Sequence, residues 1–180
     1  MWTKAAVTAV FVSASCLGLA HDVFAAPATD TKAVPMRATA ASKRFIVDAM
    51  KGDSSEIMLG HMAQDKGGND KLEQFGQMLV TDHTEAKQKA VGVAQQIGVK
   101  PSDQPAADGA REMKKLEGLT GPAFDKEFVA YMVKDHSADI AKFSRAAKRE
   151  KGPVAEFAHD SLQTLQKHLD AAKQLSTASQ

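Results

Sequence analysis

Two stretches of the chain, Phe75 to His83 and Phe128 to His136, each set a phenylalanine eight residues before a histidine and end in Val-x-Asp-His. At about 100° per residue, the Phe and the His of each stretch fall on neighbouring parts of one helical face. A repeated pair of this kind presents two imidazoles to a common interior. Two further polar residues belong with them by position. Glu56 falls inside an apolar stripe of Phe45, Ala49, Leu59 and Ala63, and His168 lies at the edge of a stripe of Ala158, Leu162, Leu165, Leu169 and Ala172. Burying an acid and three imidazoles without partners costs several kcal/mol, whereas a divalent transition ion satisfies all four. Zinc or iron suits such a donor set. Asp82 and Asp135, each next to a histidine and at the border of the face, are then expected to orient metal-bound rings or to act as additional ligands. The alternative is a metal-free polar network in which the two Asp-His units and Glu56 satisfy one another.

Four helices are needed to carry these residues. The first is expected over about Ser42 to Gln64, stopped by Asp65-Lys66-Gly67-Gly68-Asn69. The second, about Asp70 to Ile97, aligns Leu72, Phe75, Leu79, Ala86, Ala90, Val93 and Ile97 with His83, and Gly98 ends it. A long connection, Val99 to Gly121, holds two prolines and three glycines, with a short helix expected over Arg111 to Leu119. The next helix starts at Gly121-Pro122 and runs to about Lys151, gathering Phe128, Met132, Ile140, Phe143 and Ala147 around His136. Gly152-Pro153 breaks it, and a last helix follows from Val154 to about Leu175. No strand-like alternation interrupts this pattern, so the expected fold is all-α: a four-helix bundle of ferritin-like connectivity, with its long link between the second and third bundle helices.

Counting from the turns tests whether the four polar residues share a level. His136 lies sixteen residues before Gly152 and His168 sixteen after it. His83 lies fifteen residues after Gly68 and Glu56 twelve before it, a stagger of about 5 Å at 1.5 Å per residue. One polar residue per helix therefore falls near mid-height. His61 and His159 point away from these faces and read as surface histidines. Met58 and Met62, one turn apart around His61, would make a soft copper site, although methionines at helical spacing are more often core.

The beginning of the chain reads as an address. A charged Met1 to Lys4, an apolar Ala5 to Ala20 and a small-residue Val23-Phe24-Ala25 form a secretory signal peptide cleaved after Ala25, with export to the periplasm. The lone cysteine, Cys16, lies inside it, so the mature chain would hold no disulfide and would rely on packing, or on packing plus a metal. Residues 26–41, rich in Ala, Thr and Pro, read as a disordered tether, residues 42–175 as the bundle, and residues 176–180 as a flexible tail. A formal net charge of +1 gives no electrostatic reason to expect nucleic acid, and no transmembrane span remains after processing.

The run Phe45 to Gly60, the segment Met78 to His83, Gly121-Pro122-Ala123-Phe124-Asp125, Tyr131 to His136 and Leu162 to Leu169 together resemble the bacterial domain-of-unknown-function family 4142. Its members are exported proteins, often labelled putative outer-membrane proteins, and are similar to ferritin-like bundles. The resemblance implies fold and export and assigns no activity. It favours Glu56, Asp82, His83, Asp135, His136 and His168 over His61 and His159. The chain departs from ferritins and di-iron oxidases in lacking paired Glu-x-x-His motifs, and it is expected to carry a single inward acid on its first helix. Metal handling or stress protection is the expected role. A metal-free structural module that meets a protein or envelope partner through Val99 to Gly121 is the alternative.

Overall fold

The computed structural model describes residues 38–178, and within them five helices and no strand: α1 (Ala40–Lys66), α2 (Asp70–Gln96), α3 (Ala107–Leu116), α4 (Gly121–Arg149) and α5 (Pro153–Ala178). The expected signal peptide, residues 26–37 of the expected tether and the last two residues lie outside them. None of the described helices is long and apolar enough to cross a membrane.

Local chemistry sets the helix ends. α1 starts two residues before Ser42 because Thr39 caps it, its Oγ1 accepting from the Ser42 N–H at 3.0 Å. Asn69 caps α2 by accepting from the N–H groups of Lys71 and Leu72. Between α4 and α5, Gly152 takes a φ of 58°, which L side chains avoid, and Pro153 then opens α5.

Short turns make hairpins of α1 with α2 and of α4 with α5, and contacts of α2 with α5 and α1 with α4 join the two hairpins. In the first hairpin the helices approach closely at Gly60 and Gly76. A Cβ on Gly60 would stand 2.7 Å from the Gly76 carbonyl oxygen, and one on Gly76 would stand 2.6 Å from that of Gly60. Only hydrogen fits there. The turn of this hairpin is tied to α4 by Asp125, which accepts from the Gly68 N–H at 2.8 Å and the Asn69 amide at 2.9 Å.

The apolar interior is divided in two. One cluster gathers Phe45, Ile46, Met50, Val93, Phe143, Phe157 and Leu165, with the Phe45 and Phe143 rings edge to face at 5.0 Å. The other gathers Leu59, Leu72, Phe75, Leu79, Phe124, Phe128 and Met132. Each fully buried side chain of this size contributes roughly 1.5–3 kcal/mol, so either cluster can stabilise its end of the molecule. Along α1 the residues between the two clusters are Asp53 to Glu56, on α2 His83, on α4 His136 and on α5 His168. A polar layer separates two dry ones.

α3 is the part of the long connection that packs down, against α1 and α4. The Ala106 N–H reaches both the Ser55 Oγ, at 2.9 Å, and the Lys51 carbonyl, at 3.1 Å. Gly109 lies so close that a Cβ there would meet the Ser55 Oγ at 2.3 Å. This contact explains why Asp53, Ser54, Ser55 and Glu56 are all buried although they are consecutive in a helix. Four successive positions point to every side, so α1 is covered all round at this level.

Candidate metal centre

His83, His136 and His168 converge from α2, α4 and α5. Their ring centroids stand 5.1 to 5.8 Å apart, and each ring offers a nitrogen within 4.8 Å of the others. All three are buried. Hydrogen bonds on the far side of each ring decide which nitrogen that is.

His83 Nδ1 lies 2.9 Å from Asp53 Oδ1. A carboxylate can only accept, so Nδ1 carries the proton and Nε2, which has no partner, keeps its lone pair. His136 Nδ1 donates to the Met132 carbonyl at 3.1 Å, leaving Nε2 as a lone pair. His168 Nε2 donates to Asp82 Oδ2 at 2.9 Å, leaving Nδ1 as a lone pair. The two nitrogens that face each other across 3.3 Å, His136 Nε2 and His168 Nδ1, therefore both lack a proton. As neutral rings they do not hydrogen-bond; they repel.

Two nitrogen ligands on a tetrahedral ion, each about 2.0–2.1 Å from it, stand roughly 3.3 Å apart. The observed gap suits that arrangement. Each ring is also held from behind by a carboxylate or a carbonyl, which is the support metal-bound imidazoles ordinarily have. Electrostatics favour the neutral, ligating form. Burial, with His83 and His168 nearby, holds His136 well below the ordinary histidine value. Burial and His83 bring His168 to about 4 against the opposing pull of Asp82. For Asp82 itself burial acts upward, but the His168 hydrogen bond and Lys167, 3.1 Å away, outweigh it and lower the carboxyl.

The acid side is built differently. Glu56, Asp135 and His136 form a second group of possible ligands whose donor atoms lie within 4.8 Å of one another. Burial, then Asp135, Asp139 and Asp53, push Glu56 well above the ordinary glutamate value. Asp135 is raised chiefly by burial, and Asp139 reaches about 6 through burial and Asp135 despite Lys142. Burial and the same acids also raise the Tyr131 hydroxyl. Two cavities flank the layer. One of about 330 Å³ reaches Asp53, Asp82 and His83, and one of about 390 Å³ reaches Asp135 and Asp139.

The structure thus brings the three expected histidines together and sets Glu56 beside Asp135 and His136. Asp82 and Asp135 do not bond the histidines that follow them, since adjacent helical positions point in different directions. Asp82 serves His168 of α5, and Asp135 turns to Glu56 of α1. The expectation of a single inward acid on α1 is corrected: Asp53 is buried as well, and it holds His83. Sequence reading missed Asp53 and Asp139. The signal was present, for Asp53 stands three residues before Glu56 and Asp139 three after His136, each one turn along a face already recognised. His61 is exposed, as is His159, which meets only Asp160. Met58 is 46% exposed, so it is not core.

These features define an all-α protein with a buried layer of three imidazoles and several carboxylates. The chain belongs to the family described as "Domain of unknown function (DUF4142)", whose model matches residues 26–175. No curated protein and no solved structure gives a significant match.

Proposed function

We propose that this is an exported, periplasmic four-helix bundle of ferritin-like connectivity that holds a divalent transition ion, zinc or iron, on His83, His136 and His168 and serves metal handling or stress protection. One observation carries the metal reading: three buried imidazoles turn unprotonated nitrogens to a common point while Asp53, the Met132 carbonyl and Asp82 occupy their other nitrogens. A network that satisfied itself would not leave two lone pairs facing each other at 3.3 Å. Glu56 and Asp135 lie beside this centre rather than completing a hydrogen-bonded network with it.

The bundle reading rests on two long hairpins joined through the segment that contains α3, with α1, α2, α4 and α5 each contributing to the polar layer. Export rests on the charged, apolar and small-residue order of residues 1–25, and the family match begins directly after it, at residue 26. No observation favours the alternative partner-binding module over the metal reading.

Elemental analysis of untagged protein purified from its native compartment tests the proposal. About one zinc or iron per chain is expected. His83→Ala and His136→Ala should remove it. Substoichiometric metal that neither substitution changes would return the layer to a structural, metal-free role.

A further inference from the structure

The imidazole triad leaves Glu56 unexplained. This side chain is 2% exposed, yet neither of its carboxyl oxygens has a hydrogen-bond partner. Its ligating atom is grouped with those of Asp135 and His136. His136 offers it no proton, because Nδ1 donates to the Met132 carbonyl and Nε2 faces His168. Ionised Asp135 has only acceptors to give. Two bare carboxylates in a buried place are costly, so either Glu56 keeps a proton and lends it to Asp135 or a positive charge joins the two.

We propose that Glu56 and Asp135 form a second cation site, separate from the imidazole triad, that takes a hard divalent ion of the Mn2+ type. Oxygen donors suit Mn2+, Mg2+ and Ca2+, whereas imidazole suits zinc, iron, copper and nickel, so the two sides of the layer sort ions by ligand chemistry. An access route is present. Asp135 lines the cavity of about 390 Å³, together with Asp48, Asp108, Asp139, Lys51 and Lys142. Four acids against two lysines favour entry of a cation. The first turn of α3 makes one wall of this cavity, fastened by the Ala106 N–H to Ser55, the neighbour of Glu56. The site does not depend on the imidazole triad being filled, and the two can be tested apart.

Purified protein stripped of bound metal is titrated with Mn2+, the free ion being followed by its electron paramagnetic resonance signal. A parallel titration with Co2+ follows the visible absorption bands of nitrogen ligation and reports the imidazole triad. Glu56→Gln and Asp135→Asn keep the side-chain shapes and should each weaken Mn2+ by more than about tenfold, since even outer partners of a bound metal matter that much. The Co2+ bands should survive both. His168→Ala should erase the Co2+ bands and leave Mn2+ binding unchanged. Gly109→Ala keeps every acid in place but presses α3 onto Ser55, and should weaken Mn2+ alone. Unchanged Mn2+ affinity in both carboxylate variants overturns the site. So does Mn2+ binding that His168→Ala abolishes and Glu56→Gln spares, whatever Co2+ reports.

Discussion

The two sides of the polar layer meet the same difficulty, burial of ionisable groups between apolar clusters, in opposite ways. On the imidazole side each ring is anchored: one nitrogen is bonded to Asp53, the Met132 carbonyl or Asp82, and the other is turned away from that partner. On the carboxylate side the ionised Glu56 has no partner for its oxygens, and burial together with Asp135, Asp139 and Asp53 raises its proton affinity. The difference follows from the charge of the basic form. A deprotonated imidazole is neutral and tolerates a dry interior; a deprotonated carboxylic acid is an anion and does not, so it keeps a proton or acquires a cation. One side is arranged to give electron pairs, the other to attract positive charge.

The strongest way to break this comparison is to challenge the proposed metal with a chelator. Ligand linkage supplies roughly 4 kcal/mol at a thousandfold excess over the dissociation constant. In a domain of this size that amounts to a shift on the order of 10 °C in melting temperature. A strong chelator should therefore lower the melting temperature by about that amount, zinc or another divalent transition ion should restore it, and His136→Ala should make the protein indifferent to both. A melting curve that stays put after verified metal removal would show that the layer stands without an ion.

Acid separates the sides next. In the metal-free protein His168 titrates at about 4, against about 6.5 when unfolded, so on acidification the unfolded chain takes up that proton first. Stability that is complete above pH 6.5 should fall by about 3 kcal/mol as pH drops toward 4. Asp139 runs the other way: raised to about 6, it holds its proton in the folded state, so its contribution is fully present below about pH 4 and is lost as pH rises through 6. Asp139→Asn should therefore steepen the loss on acidification. Urea midpoints collected across this range check both slopes, and a profile that Asp139→Asn leaves unaltered would mean that the carboxylate side does not titrate as described.

Geometry is a gentler lever. Gly60→Ala forces a methyl group against the Gly76 carbonyl and should cost about 1–3 kcal/mol, the usual penalty for overpacking. Because α1 carries Asp53 and Glu56 while α2 carries His83, it should also weaken metal at both sides, whereas Gly92→Ala, where a Cβ meets nothing within 4 Å, should do neither. Denaturant titration alongside metal binding distinguishes a local clash from a general loss of fold. The smallest effect is expected at Lys167. Its side chain is 59% exposed beside Asp82, so Lys167→Ala should change stability by less than about 1 kcal/mol. His168 should keep its bond to Asp82, which the imidazole nitrogen-15 shifts would report.

Much of this architecture could be read along the chain. Periodicity marked α1, α2, α4 and α5 to within a few residues, and counting from Gly152 placed His136 and His168 at one level, where they are found 3.3 Å apart. Helix ends and inward faces depend on neighbours three or four residues away, and a sequence displays those directly. Partners are another matter. The Asp82-His83 and Asp135-His136 repeats suggest two self-contained pairs, yet Asp82 bonds His168 on another helix, Asp135 stands beside Glu56, and His83 is held by Asp53, some thirty positions away.

The sequence by itself determined the helices, their apolar stripes and the presence of Glu56, His83, His136 and His168 near mid-height, because these are properties of short-range spacing. Only the tertiary structure decided which nitrogen of each ring is free, that α3 closes over Ser55, and that Glu56 is buried beside Asp135. Those outcomes depend on how far α1 and α2 approach at Gly60 and Gly76 and on how each helix is turned about its axis. Ångström-scale separations between residues far apart in sequence decide hydrogen bonding and ligation, and periodicity along one helix does not contain them.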